Sequence, residues 1–275
     1  MDCGFVSCCE FPVSEKFVSN IVRVIRKEAK GMSIPKVIHY CWFGKGELPK
    51  LAEKCIKSWR KYCPDYQIVC WNEDNFDVGE NRYAKEAYDA KKWAFVSDYV
   101  RLKVLYEQGG IYLDTDVELL RPLDSLIAKQ GYLGYEQSGL VSTGLGFACE
   151  AGNPLIEALL KDYDEIGFRL EDGNYDLTPC PDRNTQTMKE LGLVPDGRYQ
   201  IFMNLQFLPS DYLCPIDYYT GKKQLTKQTV SIHHYCASWT SNTAKRTLLF
   251  KRVLGVKLYD KLYGKFLHKF KWLEW

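Results

Sequence analysis

The chain of 275 residues contains no run approaching the roughly 18–20 apolar residues that a membrane-spanning helix requires, so any membrane association is expected to be peripheral. It has no Cys-x-x-Cys spacing among its 11 cysteines, an odd number, and no hydrophobic signal segment opens it. Neither a disulfide framework nor a zinc knuckle is therefore indicated, and the expectation is a reduced, cytoplasmic protein. Internal repeats and low-complexity linkers are missing as well. Histidine is scarce, with four residues, and net charge is small at +2. No basic surface spreads through the sequence, which argues against nucleic acid as a partner.

That small charge hides an asymmetry. Residues 245–275 carry nine Lys or Arg against Asp260 and Glu274, or +7, which leaves −5 for residues 1–244. The 46% hydrophobic content is enough for a sizeable core, and one α/β domain with elaborations is the default for this length. Three segments are expected: an N-terminal extension over 1–31 with a short amphipathic stretch from Phe17 to Lys27, a main domain over 32–244, and a basic aromatic tail over 245–275. In the tail, Lys257, Lys261, Lys265 and Lys269 recur every four residues with Leu258, Leu262, Phe266 and Phe270 one position behind. This pattern fits a basic amphipathic helix on an anionic membrane surface, and equally a solvated helix packed on the domain.

Strands and helices alternate along the main domain. "KVIHYCWF" from Lys36 reads as a buried strand, "LPKLAEKCIKSWRKY" as a helix with apolar Leu51, Cys55, Ile56 and Trp59, and "YQIVCW" as a second strand. One or two helices follow, through "YAKEAYDA" and "WAFVSDYVRLKVLYEQ", stopped by Gly109-Gly110. "IYLDTD" is a third strand and "VELLRPL" continues extended. Later, "GYLGYE", "GLGFACE" and "TVSIHHYCASW" read as strands, while "NPLIEALLKDYDEI" and "NTQTMKELGL" read as helices. This alternation indicates a mostly parallel central sheet flanked by helices, with ligands at the carboxyl ends of the strands.

At one such end, "GGIYLDTDVELL" places Asp114 and Asp116 on the same side of a strand, about 7 Å apart. Like charges held that close repel, so the pair either sits in water at a turn or holds something positive. Upstream, Asp98 and Arg101 are three residues apart on a helix and face the same way. Downstream, His233 and His234 end an apolar strand; two carboxylates and an imidazole suit a divalent cation such as Mn²⁺. Each feature has a plainer explanation: a solvated turn, a surface ion pair, a hydrogen-bonded histidine.

Together, "IPKVIHYCWFGKGELPKLAEKCIKSWRKYCPDYQIVCWNED", "WAFVSDYVRLKVLYEQGGIYLDTDVELLRPLD" and, more loosely, "HHYCASW" resemble the glycosyltransferases whose sugar-binding region contains a DXD motif. That group includes yeast-type initiating α-mannosyltransferases, capsular polysaccharide enzymes and clostridial glucosylating toxin domains. The resemblance implies a GT-A-type nucleotide-sugar-binding fold and a retaining reaction through an oxocarbenium-like state, with Mn²⁺ or Mg²⁺ as cofactor. Its donor is a nucleotide-diphosphate sugar, UDP favoured, and its acceptor a glycan or lipid-linked glycan in surface or capsular polysaccharide synthesis. A cytoplasmic location, peripheral on the inner face of the plasma membrane, follows from the same resemblance and the tail.

By resemblance, Trp42 stacks on the base, Ser97, Asp98 and Arg101 meet ribose and the transferred sugar, and Tyr112 lies beside them. Asp98, Arg101, Asp114 and Asp116 form the catalytic set. Asp114 and Asp116 contact ribose and metal, Ser238 and Trp239 close over the diphosphate, and His234 completes the metal site with His233 as competitor. Glu136 and Asn184 are acceptor-side candidates, although for Glu136 a simple surface glutamate is the plainer reading. Two rivals stand beside this one: a toxin-like transferase that modifies a protein, and a non-catalytic sugar-nucleotide or glycan-binding module.

Overall fold

The secondary structure of the molecule is taken from a computed structural model that describes residues 34–128, 130–218, 220–236, 242–255, 258–259 and 261. Strand β1 (Val37–Cys41) leads to helix α1 (Lys50–Tyr62), strand β2 (Gln67–Trp71), and helices α2 (Arg82–Asp89) and α3 (Trp93–Gln108). Strands β3 (Gly110–Tyr112) and β4 (Val117–Leu119) precede a short α4 (Asp124–Ile127) and strands β5 (Gly131–Tyr135), β6 (Val141–Ser142) and β7 (Phe147–Cys149). Helices α5 (Pro154–Asp164) and α6 (Cys180–Glu190), strands β8 (Gln200–Phe202) and β9 (Leu205–Leu208), a one-turn α7 (Ser210–Leu213), strand β10 (Ser231–His233) and helix α8 (Asn242–Leu254) complete the order.

The main sheet runs β2-β1-β3-β7-β5-β9-β8, with β6 paired to β5. β2, β1 and β3 are parallel neighbours, β7 is antiparallel to both β3 and β5, and β9 is parallel to β5. Five strands therefore point the same way, with β7 reversed among them and β6 and β8 reversed beside β5 and β9, and the expected mostly parallel α/β sheet is what the structure has. Successive side chains of β3 go to opposite faces. Ile111 and Leu113 join one buried cluster with Trp59 of α1, whereas Tyr112 joins the other, with α3 and α5.

Local sequence explains the elements that set up the site. The α2 and α3 helices are separate because Lys91 sits at φ 57° between them. Asn153 caps α5 by accepting from the Leu155 and Ile156 amides, and Pro154 fills the first helical position. At the end of α3, Gly110 has φ 103°, and a Cβ there would stand 2.9 Å from the Val37 carbonyl oxygen and 3.0 Å from His39 Nε2. Only glycine lets β3 enter beside β1 at that distance.

One expectation is corrected. The third strand does not run through Asp116: β3 ends at Tyr112, and the Val117 amide donates to the Asp114 carbonyl at 3.0 Å to close a turn. The chain leaves the main sheet there because β4 pairs antiparallel with β10. It is anchored on α1, where Trp59 Nε1–H donates to the Val117 carbonyl at 2.7 Å and the Leu119 amide donates to Ser58 Oγ at 2.9 Å. Helix α8 ends at Leu254 and Gly255 takes φ 79°, while most of the lysine-and-aromatic pattern expected over 257–270 falls on residues that are not described. Residues 1–31 and 262–275 lie outside the described residues.

Candidate active site

Asp98 and Arg101 project from one face of α3 into the protein, 7% and 3% exposed. Burying a guanidinium is costly unless its donors are met. Arg101 meets that demand: Nη2–H donates to Asp98 Oδ1 at 2.7 Å and lies 3.5 Å from Asp114 Oδ1, and Nε–H donates to the Ser97 carbonyl at 3.0 Å. Nη1 faces Thr143 Oγ1 at 3.5 Å and Cys180 Sγ at 3.8 Å. The Tyr112 ring lies under the guanidinium at 5.1 Å, and its hydroxyl donates to Asp114 Oδ1 at 2.9 Å. Burial pushes the Asp98 carboxyl up to about 6 against the pull of Arg101, and also raises Asp114.

Asp116 is balanced separately. His233 Nε2 lies 3.1 Å from its Oδ1, and the Cys236 amide donates to its Oδ2 at 2.9 Å. Burial works against the Asp116 anion, but His233 and the amide outweigh it and hold the carboxyl well below its ordinary range. Burial likewise opposes the His233 cation, yet Asp116, then Asp114 and Glu136, raise it to about 9. The two aspartates thus tolerate each other because each has its own cation, Arg101 for Asp114 and protonated His233 for Asp116, and a metal bound by His233 would displace that proton and take over its charge.

Ligand atoms of Asp114, Asp116 and His233 all lie within 4.8 Å of one another. Two anionic oxygens and one imidazole nitrogen, part-buried at the ends of β3 and β10, form a donor set that fits a divalent cation of the Mn²⁺ or Mg²⁺ type. The protein brings His233 to this group and not His234, the histidine preferred from sequence. His234 Nε2 instead meets Glu118 Oε2 at 2.8 Å, and Lys54 Nζ meets the same oxygen at 2.8 Å. The register decides it: His233 pairs with Val117, at the start of β4 beside the aspartate turn, while the His234 amide donates to the Asp116 carbonyl and its ring turns toward α1.

Trp42 follows β1 at the same sheet edge, half-buried, with its indole N–H folded onto the Gly46 carbonyl at 2.6 Å. Ser97 Oγ donates back to the Trp93 carbonyl at 3.1 Å. Glu136, read from sequence as a surface glutamate, is half-buried after β5; burial raises its carboxyl, and His233 is the nearest compensating charge. Asn184 is 1% exposed on α6, donates to Thr143 Oγ1 at 3.1 Å, and leaves Oδ1 without a hydrogen-bond partner. It stands on the Arg101 side of the aspartates, where Thr143 bridges the two. Ser238 and Trp239 lie outside the described residues.

The sequence suggested a strand from Gly144, in "GLGFACE", but residues 143–145 form a tight turn and β7 begins only at Phe147. Thr143 touches both Arg101 and Asn184, and a Cβ on Gly144 would stand 2.6 Å from Asp114 Oδ2 and 3.2 Å from Arg101 Nη1. Only a residue without a side chain lets this loop close under the carboxylate. Two glycines in five residues after a short strand were the available signal.

The site is thus an Asp-x-Asp turn, a buried Asp–Arg pair and a converging histidine gathered at the strand ends of a mixed sheet. Residues 49–133 match the family described as "Glycosyltransferase sugar-binding region containing DXD motif". That match is confined to the stretch that carries the Asp98–Arg101 pair and the Asp114–Asp116 turn. It is 30% identical over 141 residues to inositol phosphoceramide mannosyltransferase 3 of Schizosaccharomyces pombe, a match covering 50% of this chain and 39% of that protein. It is 24% identical over 157 residues to subversion of eukaryotic traffic protein A of Legionella pneumophila, covering 46% of this chain and 24% of that one. Among solved structures, the PaToxG glycosyltransferase superposes with a TM-score of 0.46 at 18% identity, over 64% of this chain and 77% of that one. The chain thus spans well under half the length of these two curated relatives.

Proposed function

We propose that this protein is a metal-dependent glycosyltransferase that moves a hexose, with retention, from a nucleotide-diphosphate sugar to a glycan or lipid-linked glycan at a membrane surface. The observation that carries the proposal is the convergence of Asp114, Asp116 and His233 within 4.8 Å, beside the buried Asp98–Arg101 pair. Bound there by those three side chains, a divalent cation would supply positive charge to the departing diphosphate, where negative charge grows in the transition state.

The remaining roles belong to the chain itself. Asp98, held rigidly by Arg101, offers its second oxygen to sugar hydroxyls. Asn184 adds an unpartnered carbonyl oxygen on the same side, and the two together orient the transferred ring. Arg101 keeps Asp98 and Asp114 ionised in a dry pocket and so preserves both as acceptors. Trp42, just after β1, would stack on the base. Glu136, across from His233, borders the acceptor side. The carboxylate cluster supports catalysis over a pure binding role, because charge on the leaving group matters to transfer and little to recognition.

The donor base follows from resemblance as uridine, with a role in surface or capsular polysaccharide. A second reading is favoured by the relatives: the S. pombe protein is by name a mannosyltransferase acting on inositol phosphoceramide, so mannose and a lipid-borne acceptor form the competing pair. Both are tested by incubating the protein with Mn²⁺ and UDP-glucose, UDP-galactose, UDP-N-acetylglucosamine or GDP-mannose and measuring release of free nucleotide. Release from one donor only, abolished by chelation, is expected and names the base. Turnover unaffected by chelator would contradict metal dependence, and an inverted product linkage would contradict retention.

A further inference from the structure

Between Tyr218 and Tyr259 the sequence contains no Asp or Glu and eight Lys or Arg. The fold joins the two ends of this acid-free stretch. Arg252 of α8 donates from Nε and Nη2 to the Tyr218 carbonyl at 3.3 and 3.0 Å, and a Cβ on Gly221 would touch the Arg252 side chain at 3.4 Å. Helix α8 therefore lies against the loop that begins at Tyr218, and that loop is exposed from Gly221 to Gln228.

What the helix turns outward is apolar. Leu249, Phe250 and Val253 are 59%, 51% and 73% exposed, and Leu258 beyond the helix is 46% exposed. Arg246 lies one turn earlier on that side, also exposed. The loop contributes exposed Leu225, with Lys222, Lys223 and Lys227 around it. A helix of a soluble domain normally hides such a stripe. Asp217 and Asp211 accept from Thr220 and Thr226 at the two ends of the loop, but the cations outnumber them, which disfavours a second copy of the same surface through like-charge repulsion and leaves apolar side chains that a nucleic acid would not cover.

We propose that α8 and the 221–228 loop form one docking surface for an anionic lipid bilayer, with Leu225, Leu249, Phe250, Val253 and Leu258 entering the headgroup boundary and the lysines and arginines meeting lipid charge. The surface adjoins the metal cluster through packed rings: Tyr218 contacts Tyr235 at 5.1 Å between centroids, and Tyr235 contacts His233 at 4.4 Å. Docking would hold the site mouth at the lipid surface. The inference stands apart from the transferase reading, since it is measured without donor or metal.

The test is flotation of the full-length protein with vesicles of phosphatidylcholine alone or mixed with phosphatidylglycerol, at low and high salt. The wild type is expected to float with the anionic vesicles only and to be released by salt. Phe250→Ser/Val253→Ser and, separately, Lys222→Gln/Lys223→Gln should each weaken vesicle binding by about tenfold or more. Circular dichroism and nucleotide binding report whether each variant keeps its fold. Absence of wild-type binding to anionic vesicles, equal binding to neutral ones, or variants that float like wild type would overturn the proposal. So would light scattering that shows a dimer abolished by the Phe250/Val253 variant, with no flotation.

Discussion

His39 ties the site's scaffold to pH. It is 1% exposed on β1, its Nε2–H donates to the Gly109 carbonyl at 3.1 Å, and its Nδ1 accepts from the Trp71 indole at 3.1 Å. An indole nitrogen only donates, so Nδ1 must be bare and the ring neutral. Burial, outweighing the opposing pull of the Gly109 carbonyl, lowers His39 from 6.5 to about 4. Between those values the unfolded chain binds the proton and the folded one does not, so stability rises with pH across that window. The contribution is complete above 6.5 and is lost as pH falls toward 4. At pH 4.5 the expected loss is about 2.5 kcal/mol, at 1.36 kcal/mol per pKa unit corrected for partial protonation of the folded state. Urea unfolding of wild type and His39→Gln at pH 7 and pH 4.5 isolates it, because Gln keeps a donor and an acceptor but does not titrate. Wild type should lose about 2.5 kcal/mol more than the variant between the two conditions. Parallel losses would refute the assignment of a neutral, doubly bonded His39 that pins Gly109 and so the entry of β3.

Three further outcomes follow from the site. Gly144→Ala places a methyl 2.6 Å from Asp114 Oδ2. Donor turnover should fall on the order of 100-fold while circular dichroism stays native, and unchanged turnover would show that the loop yields freely. Arg101→Met strands Asp98 and Asp114 in a dry pocket and should cost about 3–5 kcal/mol in chemical unfolding, whereas a loss under about 1 kcal/mol would mean that water reaches the pair. His233→Ala should weaken Mn²⁺ binding, read by calorimetry, by more than the roughly 10–100-fold typical of groups outside a ligand set; His234→Ala should weaken it far less. The reverse order would exchange their roles.

Short-range patterns carried most of the fold. The α1 face at Ala52, Cys55, Ile56 and Trp59, the glycine stop at 109–110 and the Asn153-Pro154 helix start are local signals, and each element appears where its pattern lies. The Asp98–Arg101 spacing likewise put both groups on one helix face. The fate of the chain after Tyr112 was not legible, because β4 leaves the sheet for a pairing with β10 more than 100 residues away. The choice between His233 and His234 depends on that same register and has no local signature. The paired charge balance, His233 against Asp116 and Arg101 against Asp114, needs three segments at once, a helix, the aspartate turn and β10. So does the role of Gly144, which only the approach of Asp114 reveals.

The most direct test of the central claim is a thermal unfolding titration of wild type and Asp116→Asn with UDP and GDP, each with and without Mn²⁺. A nucleotide that binds only the folded state at 100 times its dissociation constant adds about 2.7 kcal/mol. The account predicts stabilisation of the wild type by one nucleotide, only with Mn²⁺ present, and none for Asp116→Asn. Stabilisation of equal size without metal, or in the variant, would contradict a cation held by Asp114, Asp116 and His233.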